Sequence, residues 1–403
     1  TPDYGNQFNK DYKIIFDPIY GEIEINKKDL KFIDNKWVKR LKRIKQLGIL
    51  DHIFPSASHN RLEHSIGVYH KSKIYIENLK KNSKYNIFDN KIIRNIQLGG
   101  LFHDLGHGPF SHVFDNIVLK NICPNHIYAN HENRSKLIVD KIYQELKNQS
   151  DSISQNDLEM IKEIIEPENI NNYGHPVFSI INNKINSIDV DKLDYMSRDP
   201  YHIGIDTKYS IDRIMSKSYI AKNKGNLSPR IIYSKGLEKT IFDLFYTRYR
   251  LHKDIYNHKT SKIIELMLGD ALIEAQDVFD WKDIISNEEF LKIDDSIYNF
   301  ILFSENEELQ KSKNLIERIE NRDLYTLIWC GDTNNRTFKE ILEEELSDYK
   351  ESELRSFEIK VNFCNGSKSP FENIEFEYGK CNMLPIMKFN NFEESETLIY
   401  SIK

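Results

Sequence analysis

The stretch Leu101-Phe102-His103-Asp104-Leu105-Gly106-His107-Gly108-Pro109-Phe110-Ser111-His112 decides how this chain of 403 residues is read. His103 and Asp104 offer an imidazole nitrogen and a carboxylate oxygen side by side, a mixed donor pair that suits Fe, Mn, Zn or Ni. Two more histidines, His107 and His112, follow closely, and Gly106 and Gly108 let the backbone turn tightly among them. The apolar run Ile92, Ile93, Ile96, Leu98 and Leu101 leads in with helical spacing, which puts the His-Asp pair near a helix end.

Working outward, Arg61-Leu62-Glu63-His64-Ser65 opens another helical run, with Arg61 and His64 on one face. Downstream, Asp191, Tyr195 and Asp199 form an i, i+4, i+8 stripe on a helix. Such a row is a poor core face, because carboxylates are rarely buried without partners. Its plainer reading is a solvated face with Asp194 and Arg198 as an i, i+4 ion pair. A third stripe, Arg248, His252 and Tyr256, is followed by His258 and Lys259. Arg, His and Tyr in register suit a triphosphate and a sugar, through charge-assisted hydrogen bonds and ring packing. Together the chain supplies four candidate metal ligands (His64, His103, Asp104, Asp191) and several cations. That is the requirement of metal-assisted phosphate ester hydrolysis.

Apolar residues make up 39% and charged residues 29%, ordinary for a globular chain of one large or two modest domains. No stretch of about 18 apolar residues occurs, so no membrane span is expected, and the start carries no signal-peptide pattern. A chain beginning at Thr1 is expected to have lost a leader or a further domain. Four scattered cysteines with no C-x-x-C pair suit a reducing compartment, cytoplasm or nucleus. The net charge of −6 gives no global drive towards nucleic acid. Lys36, Lys39, Arg40, Lys42, Arg43 and Lys45 form a local basic run, either a solvated helix face or a phosphate receiver.

The pattern predicts strands at 13–16 and 21–25 around the turn Asp17-Pro18-Ile19-Tyr20-Gly21. Helices are expected from 30 to about 281 and again over 286–350, with loops at 82–90, 148–156 and 222–228. Alternating stretches at 357–363, 373–378 and 385–389 read as strands. The fold class is therefore mostly α, a helical body with a short N-terminal β-hairpin. The expected domains are a core over 1–280 and a small C-terminal α+β lobe over 281–403.

The order His, His-Asp, Asp resembles the HD-domain phosphohydrolases. Longer blocks resemble the deoxynucleoside triphosphate triphosphohydrolases among them, in particular the animal type with a SAM domain ahead of its HD domain. They are 17–21, 40–48, 54–65, 103–115, 130–132, 188–199 and 247–259. The resemblance implies an HD-domain helical fold with His64, His103, Asp104 and Asp191 holding one transition-metal ion (Fe, Mn or Zn). It implies a catalytic His112 with Asp115 beside it, completed by His107 and His131. It implies Arg61, Lys192 and Arg248 on the triphosphate, and Gln46, Tyr195 and Asp199 at the sugar 3′-hydroxyl. Leu47, His252 and Tyr256 would surround the base and the ribose 2′ carbon, where close packing excludes a 2′-hydroxyl. The implied reaction is attack of water on the α-phosphorus, giving a deoxynucleoside and inorganic triphosphate from a dNTP, with Mg²⁺ accompanying the triphosphate.

The resemblance also implies a GTP or dNTP activator and a homo-oligomer, dimer or tetramer, with Lys13, Asp34 and Lys42 at a regulatory nucleotide site. Here the chain departs from the family. Lys42 replaces a stacking Arg, Lys39 a Gln and Phe16 an Asn, and Arg and Lys are not equivalent where a planar fork is needed. With Lys403 as the last residue, the family's basic C-terminal segment is expected to be missing. Rival readings are an HD hydrolase of another nucleotide phosphate ester, a nucleotide-binding sensor or scaffold, and a nucleic-acid binder using the basic run.

Overall fold

The computed structural model describes residues 11–207, 209–222, 228–332, 336–377 and 393–402. Its first element is an antiparallel hairpin, β1 (Tyr12–Asp17) and β2 (Gly21–Asn26). The turn follows from its residues: the Asp17 carboxylate accepts from the backbone N–H groups of Ile19 and Tyr20 at 2.8 and 3.0 Å. Gly21 closes it at φ 70°.

Helix α1 (Arg61–Asn82) organises the body. Asn60 caps it, accepting from the Glu63 N–H at 3.2 Å. Ile66 and Tyr69 face the larger apolar core, while Val68, Tyr75 and Leu79 face a second one. A helix covered on both sides has little wet surface, so Arg61 and His64 are internal, 3% and 1% exposed. Helix α2 (Asn90–Phe102) packs along α1 and ends where His103-Asp104 begins, as its apolar spacing predicts. Helices α3 (His131–Leu146) and α4 (Gln155–Ile165) follow. Helix α5 (Val190–Ile203) packs on α1. The Asp189 side chain starts it, accepting from the Lys192 N–H at 3.0 Å, and Gly204 ends it at φ 73°.

Helix α6 (Glu238–Arg250) runs directly into a π-helical turn, Leu251–Tyr256, and helix α7 (Lys259–Glu274) comes next. Helix α8 (Gln310–Glu320) packs against α7. The mostly α HD-type architecture expected from the sequence is the one observed, with corrections to the strands. A hairpin of β3 (Ser218–Lys222) and β4 (Pro229–Tyr233) interrupts the expected helical stretch. β5 (Thr326–Gly331) lies inside the charged region read as helix, because its apolar run packs in a sheet. β6 (Leu354–Asn362) covers most of 357–363, and β7 (Glu393–Ser401) sits between β5 and β6, antiparallel to both. Of 373–378, Phe376 makes a lone bridge to Tyr233, since Pro370–Asn373 forms a short 3₁₀ turn instead. The segment 385–389 lies outside the described residues.

One core includes Ile23 and Ile25 of the hairpin, Phe102 of α2, and Ile359 and Leu398 of the terminal sheet, so the lobe and the body share packing. Among the described residues no helix is long and apolar enough to cross a membrane. The basic run is largely neutralised locally. Arg40 is wholly buried and donates to the carbonyls of Ile293 and His107 at 2.8 Å. Lys36 pairs with Glu145, Lys39 with Asp34, Arg43 with Asp294 and Lys45 with Asp51.

Candidate active site

A cavity of about 470 Å³ opens between α1, α5, the π-helical turn, α7 and the loop that carries His107 and His112. That volume is of the size that takes a nucleotide-scale ligand. The loop is shaped by close approach. A side chain at Gly106 would overlap the His131 carbonyl, its Cβ lying 2.0 Å from that oxygen. Phe110 and Ser111 both hold left-handed backbone, φ 57° and 59°, a conformation rare in non-glycine residues and typical of functional loops. The turn they make presents His112 to the cavity.

At its base, ligand atoms of His64, His103 and Asp191 all lie within 4.8 Å of one another. The two imidazoles face each other through Nε2 at 3.2 Å. Each is oriented from behind: His64 Nδ1 is 2.8 Å from the Asp194 carboxylate, and His103 Nδ1 is 2.8 Å from the Gly100 carbonyl. Both partners accept, so both Nδ1 atoms donate and each Nε2 is turned towards the shared point. Asp191 Oδ1 stands 3.1 Å from His64 Nε2 and 3.5 Å from His103 Nε2, and Asp104 Oδ1 lies 3.3 Å from His103 Nε2. Burial alone would lower the His64 imidazole, yet hydrogen bonds to Asp191 and Asp194 raise it to about 10. The carboxylates thus demand positive charge at this point. Converging Nε2 atoms and carboxylates fit a transition-metal ion with N/O ligands.

Asp194 was legible only as half of a surface ion pair. The pair exists, with Arg198 Nε donating at 2.8 Å, but both residues are completely buried. Asp194 also accepts from Tyr20 Oη at 2.8 Å, and Arg198 donates to Asp17 at 2.8 Å. The hairpin turn therefore buttresses the histidine that faces the cation site. Asp194→Asn is expected to lower metal affinity about 10–100-fold while the fold persists. Metal titration with a competing chelator checks this, and wild-type affinity would remove the buttressing role.

Beside the cluster stand His107, His112 and His131, whose ligand atoms also lie within 4.8 Å of one another. His107 and His131 stack at 3.8 Å, and His112 meets both edge-on. The expected direct His112–Asp115 pair is not formed. Asp115 instead accepts from His131 Nδ1 at 2.9 Å and from Arg134, which burial of the arginine beneath the loop dictates. His112 is exposed towards the cleft, yet desolvation by its walls, then Arg61 and His131, push the imidazole down to about 3.

Arg61, Lys192 and Arg248 all line the cavity, each held differently. Arg61 donates to Asp104, to Ser111 Oγ at 2.8 Å and to the Gln46 carbonyl. Lys192 donates to Asp189 at 2.8 Å. Arg248 reaches the Asn362 carbonyl at 3.1 Å, while its buried Nε finds no hydrogen-bond partner among the described residues. Gln46 Oε1 and His107 Nδ1 are likewise buried and unpartnered, and such atoms call for a ligand. Tyr195, Asp199, Leu47, His252 and Tyr256 also line the cavity. Tyr256 Oη donates to Asp199 Oδ2 at 2.7 Å, and His59, which sequence reasoning left without a role, holds Asp199 Oδ1 at 2.8 Å. Lys13, Asp34 and Lys42 are exposed and lie away from this lining, with Asp34 paired to Lys39 at 2.8 Å.

Known proteins resemble this chain over most of its length. Residues 61–199 match the HD domain and residues 227–362 the HD associated region. The chain is 32% identical to the deoxynucleoside triphosphate triphosphohydrolase SAMHD1 homolog of Dictyostelium discoideum, over 93% of this chain and 72% of the relative. It is 32% identical to the deoxynucleoside triphosphate triphosphohydrolase SAMHD1 of Danio rerio, covering 96% of this chain and 68% of that one. An HD domain-containing protein of Acanthamoeba polyphaga mimivirus is 33% identical, over 89% and 83% of the two chains.

Proposed function

Because this hydrolase belongs to the HD-domain family of deoxynucleoside triphosphate triphosphohydrolases, we propose that its own reaction is dNTP plus water to deoxynucleoside plus inorganic triphosphate. One observation carries the reading: a carboxylate-rich cation site, a histidine trio and three basic side chains face a single nucleotide-sized cavity. His64, His103, Asp104 and Asp191 would hold the transition-metal ion. When bound, such an ion supplies Lewis acidity to a phosphoryl oxygen and acidifies water. Mg²⁺ would accompany the triphosphate.

The chain's own residues do the rest. Arg61, Lys192 and Arg248 neutralise charge along the triphosphate, a contribution that counts most in a cleft poor in water. His112, with His107 and His131 packed around it, gives a proton to the 5′-oxygen of the leaving nucleoside. Gln46, Tyr195 and Asp199 take the 3′-hydroxyl. Tyr256, tied to Asp199, and Leu47 close the space at the 2′ carbon. Tyr256→Ala is therefore expected to lower the preference for dNTP over NTP about tenfold or more. Paired kcat/KM measurements on dATP and ATP check it, and an unchanged ratio would argue against the 2′ wall.

The decisive experiment is chromatography of products from dGTP, dATP, dCTP and TTP with Mg²⁺ and Mn²⁺, with and without GTP. Deoxynucleoside plus triphosphate supports the reading. Release of phosphate or pyrophosphate would indicate a different phosphate ester chemistry, and binding without turnover a sensor. An activator at Lys13, Asp34 and Lys42 would have to displace Lys39 from Asp34. Full activity without GTP would dismiss that regulatory site.

A further inference from the structure

The cavity has one wall that phosphate chemistry does not explain. Lys262 and Glu265 of α7 and Phe357 of β6 all line it. Lys262 Nζ donates to Glu265 Oε2 at 2.7 Å and lies 5.2 Å from the centre of the Phe357 ring. The two charged side chains are only 11% and 17% exposed. An i, i+3 pair on a wet helix face costs little, whereas a pair withdrawn from water carries a desolvation penalty that stability alone does not justify. A carboxylate on this wall repels a polyphosphate. It must therefore face an uncharged part of the substrate. The sugar is claimed by Tyr195, Asp199 and Tyr256, so the base remains.

An ammonium donor beside a carboxylate acceptor is the complement of a carbonyl beside a ring N–H. We infer that Lys262 and Glu265 read the base edge and make guanine the preferred base of this hydrolase, an inference that rests on the dNTP reading above. Lys262 donates to O6, Glu265 accepts from N1–H and the 2-amino group, and Phe357 covers the base face. Thymine offers a carbonyl and a ring N–H but no amino group, so it ranks second. Adenine and cytosine set an amino donor against Lys262 and a ring acceptor against Glu265, so each charged group meets a base atom of its own hydrogen-bonding kind and gains no bond from it.

The test is a competition: equimolar dGTP and dATP in one reaction with Mn²⁺ and Mg²⁺, with the deoxynucleosides separated early. The product ratio reads the ratio of kcat/KM values whatever the activation state, because both substrates meet the same enzyme. We expect a deoxyguanosine excess of about tenfold or more, collapsing towards one in Glu265→Gln and in Lys262→Met. A ratio near one in the wild type, or an excess that survives Glu265→Gln, overturns the inference. Calorimetric titration of the wild-type protein with dGTP and with dATP reads the same preference without turnover. Absence of any hydrolysis would count against the dNTPase reading, while equal affinities in that titration would count against the base reading.

Discussion

Replacing Asp191 by alanine is expected to remove bound metal and turnover together. Asp191 puts one carboxylate oxygen near both imidazoles, 3.1 and 3.5 Å from the two Nε2 atoms, and it sits in the first turn of α5. Its loss leaves His64 and His103 with Nε2 atoms 3.2 Å apart and less negative charge to hold a cation between them. Asp104 already belongs to the proposed ligand set through Oδ1, and its other oxygen is engaged by Arg61, so it offers no second donor in place of Asp191. Elemental analysis of the purified variant, together with product chromatography, decides the matter. Stoichiometric metal in an inactive Asp191→Ala protein would place the ion elsewhere. Stability should change little, because the side chain borders the cavity rather than a core.

His112→Ala should behave differently: metal and nucleotide binding persist while kcat falls by roughly 10²–10⁴. His112 lies outside the His64–His103–Asp191 cluster and meets His107 and His131 edge-on. The pH dependence gives the sharper signature. In the free protein the imidazole is pushed down to about 3, so it is neutral near pH 7. A bound triphosphate acts in the opposite direction, its negative charge raising the value. A proton donor must be protonated to work, so kcat should fall as pH rises through the value His112 has in the complex. That alkaline limb should be absent from the small residual rate of His112→Ala. A variant that loses dNTP affinity but keeps kcat would sink the proton-donor role.

Much of this site was legible because its signals are local. His103-Asp104 sits at a helix end, and the i, i+4, i+8 rows at 191–199 and 248–256 do face one cavity. The second row stays aligned for a reason that periodicity cannot supply. Leu251–Tyr256 is a wider π-helical turn, and His252 and Tyr256 meet at 5.0 Å between ring centres. What escaped depends on distant neighbours. Asp194 and Arg198 look like a solvent-facing pair until α1 and the hairpin cover them. His59 gains its role only through Asp199, 140 positions along the chain. The strands β3, β4, β5 and β7 were missed because short apolar runs read alike as helix or strand until a partner pairs with them.

The link from His64 through Asp194 to Tyr20, and through Arg198 to Asp17, also sets an order of assembly. Residues 17–20 leave the ribosome first and α5 much later, yet each supplies part of the support behind one metal-facing histidine. The nascent chain therefore cannot offer a finished pocket until α5 has been made as well as the hairpin. An ion captured earlier would meet imidazoles without that support, so stable loading of such an ion would follow closure of the hairpin over α5.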